Sequence, residues 1–385
     1  MNLMAKKILE LFIENFSTQP ELYYSPGRIN FIGEHIDYND GFVMPAAIDK
    51  GIYYAIAKNN SDSLHFHAVD LNEKFTIDIN NIKKMDGWKN YVLSVVNEFL
   101  IKGFAIQGFD CVFGGNIANG AGISSSAAVE GGLAFAINEI FNLGMDRKEL
   151  ALLCQRAEHN FPGVKCGIMD QYANMFGKKD HVILLDTKNI EHQYFPLKLD
   201  EYEVVLINSN VHHSLASSEY NVRRKQCEEG LEILKKEKGI SSFRDIKSAA
   251  ELLPFKNKMS EKVYDRCKFV VEEIIRTQKA AKLLQQNNLI EFGKLMYETH
   301  EGLSNLYEVS CKELDFLVEK AKDNSNVIGS RMMGGGFGGC TINIIKKENA
   351  KDFLENTTTS YHQKFQIRPE IIQVNIADGT HKLIY

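Results

Sequence analysis

Short apolar runs recur along the chain, and between them lie longer stretches with a helical period. Phe109 to Phe113, Val182 to Asp186 and Glu203 to Val211 read as strands, as do Thr341 to Ile345 and Ile371 to Ile376. Apolar positions three or four apart predict helices over about Ser124 to Phe141 and Asp146 to Asn160. The same spacing predicts helices over about Ser217 to Lys236, Lys262 to Gln285, Leu289 to Leu306 and Lys312 to Lys322. Asp146 stands as an N-cap before the series Leu150, Leu153, Ala157. At the start, Ile8, Leu11, Phe12 and Phe16 form one face of a further helix. Strands dominate the first half, helices the stretch from about 215 to 325, and strands return at the end. That shift places a domain boundary near 210.

The length of 385 residues suits two or three domains. With 44% hydrophobic and 25% charged residues and only 7 Pro, collagenous, low-complexity and disordered classes are excluded. Lys+Arg 45 against Asp+Glu 50 leaves a net charge of -5, which excludes a general basic attraction to nucleic acid or anionic membranes. The 7 cysteines are odd in number and show no C-x-x-C spacing, so neither a fully paired disulfide framework nor a structural zinc site is expected. The first residues lack the uninterrupted apolar core of a signal peptide, and no apolar stretch reaches the length of a membrane span. The expectation is a cytoplasmic protein with no nucleic-acid or membrane partner.

The densest chemistry lies in Asn119-Gly120-Ala121-Gly122-Ile123-Ser124-Ser125-Ser126-Ala127-Ala128, between a strand and a helix pattern. Glycines let backbone N–H groups approach a ligand, and a helix N-terminus adds free N–H groups and partial positive charge. Together they can cradle phosphate. No Gly-Lys-Ser/Thr follows, so this is not a Walker loop. On spacing alone, an ordinary glycine turn with a serine cap fits as well. Gly334 to Gly339 contains a formal G-x-G-x-x-G, but a strand pattern from Cys340 follows it, and a dinucleotide fold needs a helix there. That loop can receive another segment, or a phosphate, or simply make a tight turn into a strand.

Arg28, Glu34, His35 and Asp37 fall close together between apolar residues. Carboxylates accept hydrogen bonds from sugar hydroxyls, and a guanidinium can neutralise phosphate or orient a carboxylate; a solvated loop with a capping acid fits the same pattern. Asp170, flanked by Ile168 and Met169, needs a partner if buried. Glu158 ends a helical pattern, where a lone Glu is more commonly an ordinary exposed helix residue. His300-Glu301 begins like a zincin motif, but Ser304 replaces the second His. His212-His213 suits packing at a strand end better than ligation.

Three ordered motifs now carry a resemblance. They are Gly27 to Ile48 (Gly-Arg-x-Asn-x-Ile-Gly-Glu-His-x-Asp-Tyr), Gly120 to Ala127, and Gly329 to Cys340, with Cys166 to Gln171 and Ser214 to Arg224 adding to them. Over essentially its whole length the chain resembles the GHMP family of small-molecule kinases, and within it the branch that phosphorylates galactose. The resemblance implies an α+β fold of two domains, with the site between them. The N-terminal domain, 1–210, is mixed α/β, and the C-terminal domain, 211–385, is ferredoxin-like. It implies Asp170 and Arg28 as the catalytic pair, with Asp170 acting as base or as electrostatic anchor. It implies Glu34, His35, Ile36, Asp37, Gly167 and Tyr220 as sugar contacts. Gly120, Ala121, Gly122, Ile123, Ser124, Ser125 and Ser126 form the ATP phosphate loop, Trp88 lies near adenine, and Ser126 and Glu158 are ligands of Mg2+. The implied reaction moves the γ-phosphoryl of ATP to the anomeric hydroxyl of α-D-galactose, the first committed step of galactose breakdown, in a monomer.

Ala118, Ile123, Met333 and Gly335 depart from the commoner family residues without removing a group the chemistry needs. Two other readings stay open: a related kinase acting on N-acetylgalactosamine or another sugar, and an inactive galactose and ATP sensor.

Overall fold

The computed structural model describes residues 2–117, 120–211 and 216–384, the side chains of 216 and 217 excepted. Ala118 and the His212-His213 pair lie outside the described residues. The strands of the first part are β1 (Glu21–Asn30), β2 (Phe42–Val43), β3 (Pro45–Lys58), β4 (Ser63–Ala68), β5 (Glu73–Asp78), β6 (Phe109–Gly115), β7 (His181–Asp186) and β8 (Glu191–Pro196). Then follow β9 (Tyr202–Asn208), β10 (Val327–Met332), β11 (Cys340–Lys346), β12 (Glu370–Gln373) and β13 (His381–Leu383). The helices are α1 (Leu3–Asn15), α2 (Lys89–Ile101), α3 (Ser125–Ile140), α4 (Arg147–Asn160) and α5 (Met169–Phe176). Beyond them come α6 (Ala216–Lys238), α7 (Glu261–Gln285), α8 (Leu289–Asn305), α9 (Lys312–Lys322) and α10 (Ala350–Phe365).

One sheet runs in the order β13-β1-β3-β6-β4-β5, a second β10-β11-β9-β12 and a third β2-β7-β8. Two of the sheets combine strands from both sides of position 210. β9 joins the sheet of β10 to β12, and β13 returns to pair with β1 through Leu22 and Leu383. The α+β class expected from the resemblance is the one observed. No helix among the described residues is long and apolar enough to cross a membrane.

Two local features aim the site. α3 packs on β1 and β3. A Cβ at Gly132 of α3 would lie 2.3 Å from Tyr54 Cε2, so only glycine lets the helix sit this close to the sheet. Its N-terminus, Ser125 and Ser126, is thereby fixed at the end of β6. α4 begins with a capping box, in which the Asp146 side chain accepts from Glu149 N and the Glu149 side chain accepts from Asp146 N. The far end of α4 delivers Glu158. β1 and β3 are buried almost without alternation, because helices cover one face and other chain segments the other.

Candidate active site

Arg28 lies on β1, 4% exposed, and Asp170 in the first turn of α5. The guanidinium is bidentate: Nε donates to Oδ1 at 2.8 Å and Nη2 to Oδ2 at 3.0 Å. Nη1 donates to the Gly122 carbonyl at 2.6 Å. Burial opposes the positive charge of Arg28, but Asp170 and Glu34 more than offset it and push its pKa upward. A second donor group reaches the same carboxylate, the hydroxyl of Ser124.

Beside this pair is a cavity of about 180 Å³ lined by Arg28, Glu34, His35, Asp37, Glu158, Asp170 and Tyr220, among others. Glu34 is held by its Oε2 alone, which accepts from Arg331 Nη1 and Nη2 and from Gly334 N, each at 2.9 Å. Oε1 is left for a ligand. Burial raises the Glu34 pKa, and Arg331 and Arg28 reverse this, so the carboxylate stays charged. His35 has φ 60°, and its Nε2 faces the Gly335 carbonyl at 3.2 Å. A carbonyl only accepts, so Nε2 carries the proton. Burial pushes the ring pKa down to about 4, despite Glu34. The neutral Nδ1 therefore accepts from Tyr38 Oη at 2.7 Å. Asp37 is pushed up to about 7, first by burial and then by Asp170 and Glu34. The Tyr220 ring packs on His35 and Tyr38 at centroid distances of 5.2 Å and 5.4 Å.

Gly167 is explained by Asp37, since a Cβ there would lie 2.0 Å from Asp37 Oδ2. Gly167→Ala is expected to push that carboxylate aside and raise the KM for sugar about tenfold or more, with the KM for nucleotide little changed. Steady-state kinetics with each substrate varied in turn check this. Ile36 differs from its neighbours: its side chain is fully buried in the apolar core and is not among the residues lining the cavity.

A larger cleft of about 700 Å³ opens on the other side of the glycine–serine loop, lined by Ile52, Trp88, Tyr91, Phe113, Val129, Ser125 and Ser126, among others. Trp88 donates from Nε1 to Glu73 Oε2 at 3.0 Å and packs edge-on against Phe75 and Phe113. Ala121 and Ile123 are buried in a core cluster, whereas Gly120 is exposed and Gly122 half-buried. The second glycine loop packs on the first, where a Cβ at Gly334 would lie 3.1 Å from Gly122 O. The loop receives another segment and also turns tightly into β11, with Met333 N donating to the Cys340 carbonyl at 3.0 Å.

Ser126 lines the cleft and Glu158 lines the cavity. Glu158 is 6% exposed and accepts from Gln171 Nε2 at 2.8 Å. Burial, then Asp170, push its pKa up to about 7. A buried carboxylate with only neutral donors fits a cation. Among the described residues no group of three or more His, Cys, Asp or Glu could hold a metal ion by itself. An ion completed by phosphate oxygens and water suits that donor set.

Sequence reasoning assigned no role to Arg331, Gln171 or Glu130. Glu130 is fully buried, and neither its oxygens nor Gln171 Oε1 has a donor. Burial and the neighbouring Glu158 push the Glu130 pKa well up. Nothing local in the sequence marks these contacts.

Comparison with known proteins agrees with this geometry. A model described as "GHMP kinases N terminal domain" matches residues 90–178, and one described as "GHMP kinases C terminal" matches 280–362. A mevalonate kinase structure shares the fold at TM-score 0.65 and 20% identity, covering 93% of this chain and 99% of that one. Fold and site thus define a kinase of the GHMP class. A "Galactokinase galactose-binding signature" matches residues 10–58. The galactokinase of Thermosipho africanus is 42% identical, covering 93% of this chain and 99% of its own. That of Clostridium acetobutylicum is 40% identical, covering 100% and 99%. The crystal structure of Lactococcus lactis galactokinase complexed with galactose superposes at TM-score 0.94 and 32% identity, covering 98% and 99%. The chain belongs to the galactokinase family.

Proposed function

We propose that the protein transfers the γ-phosphoryl group of ATP to O1 of α-D-galactose, giving α-D-galactose 1-phosphate and ADP. One observation carries this reading. The bidentate Arg28–Asp170 pair lines a small cavity rich in charged side chains, and a larger, mostly apolar cleft is lined by Ser125 and Ser126 at the start of α3. The small cavity suits a monosaccharide and the large one a nucleotide. Phosphoryl transfer asks a protein mainly for positioning and charge stabilisation.

Glu34 Oε1 and the carboxyl of Asp37 accept sugar hydroxyls, and Tyr220 closes the same wall. Asp170 accepts or aligns the O1 hydroxyl. Arg28 fixes the orientation of Asp170 through two hydrogen bonds and supplies positive charge beside the developing transition state. The amides at the start of α3, with Ser125, receive the nucleotide phosphates, while Trp88 and its apolar neighbours line the space for adenine. Ser126 and Glu158 would hold Mg2+. That ion would supply charge neutralisation to the nucleotide phosphates. Both walls come from one chain, which suits a monomer. All 7 cysteines are free, which suits the reducing cytoplasm.

The reading is tested by ATP consumption with galactose, glucose, N-acetylgalactosamine, mevalonate and homoserine, with the phosphorylated position read by 31P NMR. Galactose phosphorylated at C1 is the expected best substrate. Faster turnover of N-acetylgalactosamine or of a non-sugar acceptor rejects the assignment, and binding of galactose and ATP without product marks a sensor.

A further inference from the structure

Among the described residues between β6 and α3, three are left-handed: Gly120 at φ 71°, Gly122 at φ 70° and Ser124 at φ 58°. Two are glycines, which adopt this conformation freely. The third carries a Cβ, which makes it unfavourable. A residue held in such a conformation is a reason to ask what its side chain does.

Ser124 occupies the N-cap position of α3, where serine usually accepts from the first free N–H groups. It makes no such bond. Its hydroxyl instead donates to Asp170 Oδ2 at 2.5 Å. Arg28 already donates to Oδ1 through Nε and to Oδ2 through Nη2. Each carboxylate oxygen has two acceptor directions. With Ser124 in place, Oδ2 has two donors and is filled. Oδ1 has one and keeps a single open direction. Without the hydroxyl, a sugar hydroxyl could approach either oxygen.

We propose that Ser124 is a positioning residue for Asp170, its hydroxyl closing Oδ2 so that the acceptor hydroxyl can engage only Oδ1. This rests on the role given above to Asp170. It departs from the expectation that every serine of the loop serves the nucleotide phosphates. It also gives a reason for the left-handed serine: glycine would suit the backbone better but has no hydroxyl.

Ser124→Gly separates backbone from side chain, because it relieves the conformation while deleting the hydroxyl. The melting temperature is expected to stay level or rise. kcat is expected to fall about tenfold or more, as misplacement of a reacting group commonly costs. The KM for ATP is expected to stay within about twofold of the parent. Ser124→Ala, which keeps the backbone cost, is expected to lose kcat equally and to melt lower. Parental kcat in Ser124→Gly overturns the proposal. So does a rise in the KM for ATP at unchanged kcat, which makes Ser124 a phosphate ligand. The parent protein and Asp170→Asn run in the same assay keep the two ideas distinguishable. A parent that phosphorylates galactose, with an inactive Asp170→Asn and a fully active Ser124→Gly, removes only this inference. A fully active Asp170→Asn removes the role of Asp170 itself.

Discussion

Replacing Asp170 with asparagine is expected to lower kcat by about 10²–10⁴-fold, the range typical of losing a positioned acid or base. The substitution is nearly isosteric but removes the charge. It also presents an amide donor to Arg28 Nη2 or Nε, which are donors themselves. The fold should survive, because the Asp170 side chain is 26% exposed and Arg28 keeps the Gly122 carbonyl as acceptor. Kinetics and thermal melting on one preparation separate the two effects. Turnover within tenfold of the parent would remove Asp170 from the chemistry.

Arg331→Met is the second large effect, and it acts mainly through stability. Arg331 is fully buried and Glu34 is 2% exposed. Arg331 donates to both the Glu34 carboxylate and the carbonyls of Phe31, Met332 and Asn30. Methionine fills much of the space but leaves Glu34 as a buried charge with reduced compensation, a change that costs about 3–5 kcal/mol. Galactose affinity should fall with it, since Glu34 loses two of the three bonds that fix its orientation and keeps only that from Gly334 N. The pH dependence gives a second readout. In the parent the Glu34 pKa lies below 4.5, so its stabilising contribution is full above that value and lost only as pH falls through the lowered pKa. Without Arg331, burial is opposed far less and the pKa rises. The deficit of Arg331→Met should therefore shrink as pH falls, because a protonated Glu34 needs no cation. Denaturant titrations from pH 7 to pH 4.5 check this, and a pH-independent deficit would contradict it. Glu34→Gln added to Arg331→Met should recover part of the stability but not the galactose affinity.

Much of the fold was legible because helical periodicity is a local signal. The expected helices over Lys312 to Lys322, Leu289 to Leu306 and Lys262 to Gln285 lie within a residue of α9, α8 and α7 at each end. The Asp146 cap was readable from its own side chain and the apolar series after it. β1 and β3 were not, because strands buried on both faces do not alternate. For that reason Arg28 could be mistaken for a loop residue, although it sits within a central strand.

The site divides in the same way. The Gly/Ser loop and the Arg28 to Asp37 cluster were visible as residue types at close spacing, but their roles came from the family resemblance. The contacts that fix them join residues far apart in sequence. Arg28 and Asp170 are separated by 142 positions, and Glu34 and Arg331 by 297. No window along the chain could show that Arg331 holds Glu34, that Gly167 makes room for Asp37, or that Ser124 turns toward Asp170. Those facts belong to packing.

The most direct test is a crystal structure with galactose, Mg2+ and a non-hydrolysable ATP analogue bound together. The expected result has sugar O1 within about 2.6–3.2 Å of Asp170 and in line with the γ-phosphorus at roughly 3–3.5 Å, the phosphates resting on Ser125 and Ser126. A hexose turned so that another hydroxyl meets Asp170, or phosphates held away from the start of α3, contradicts it.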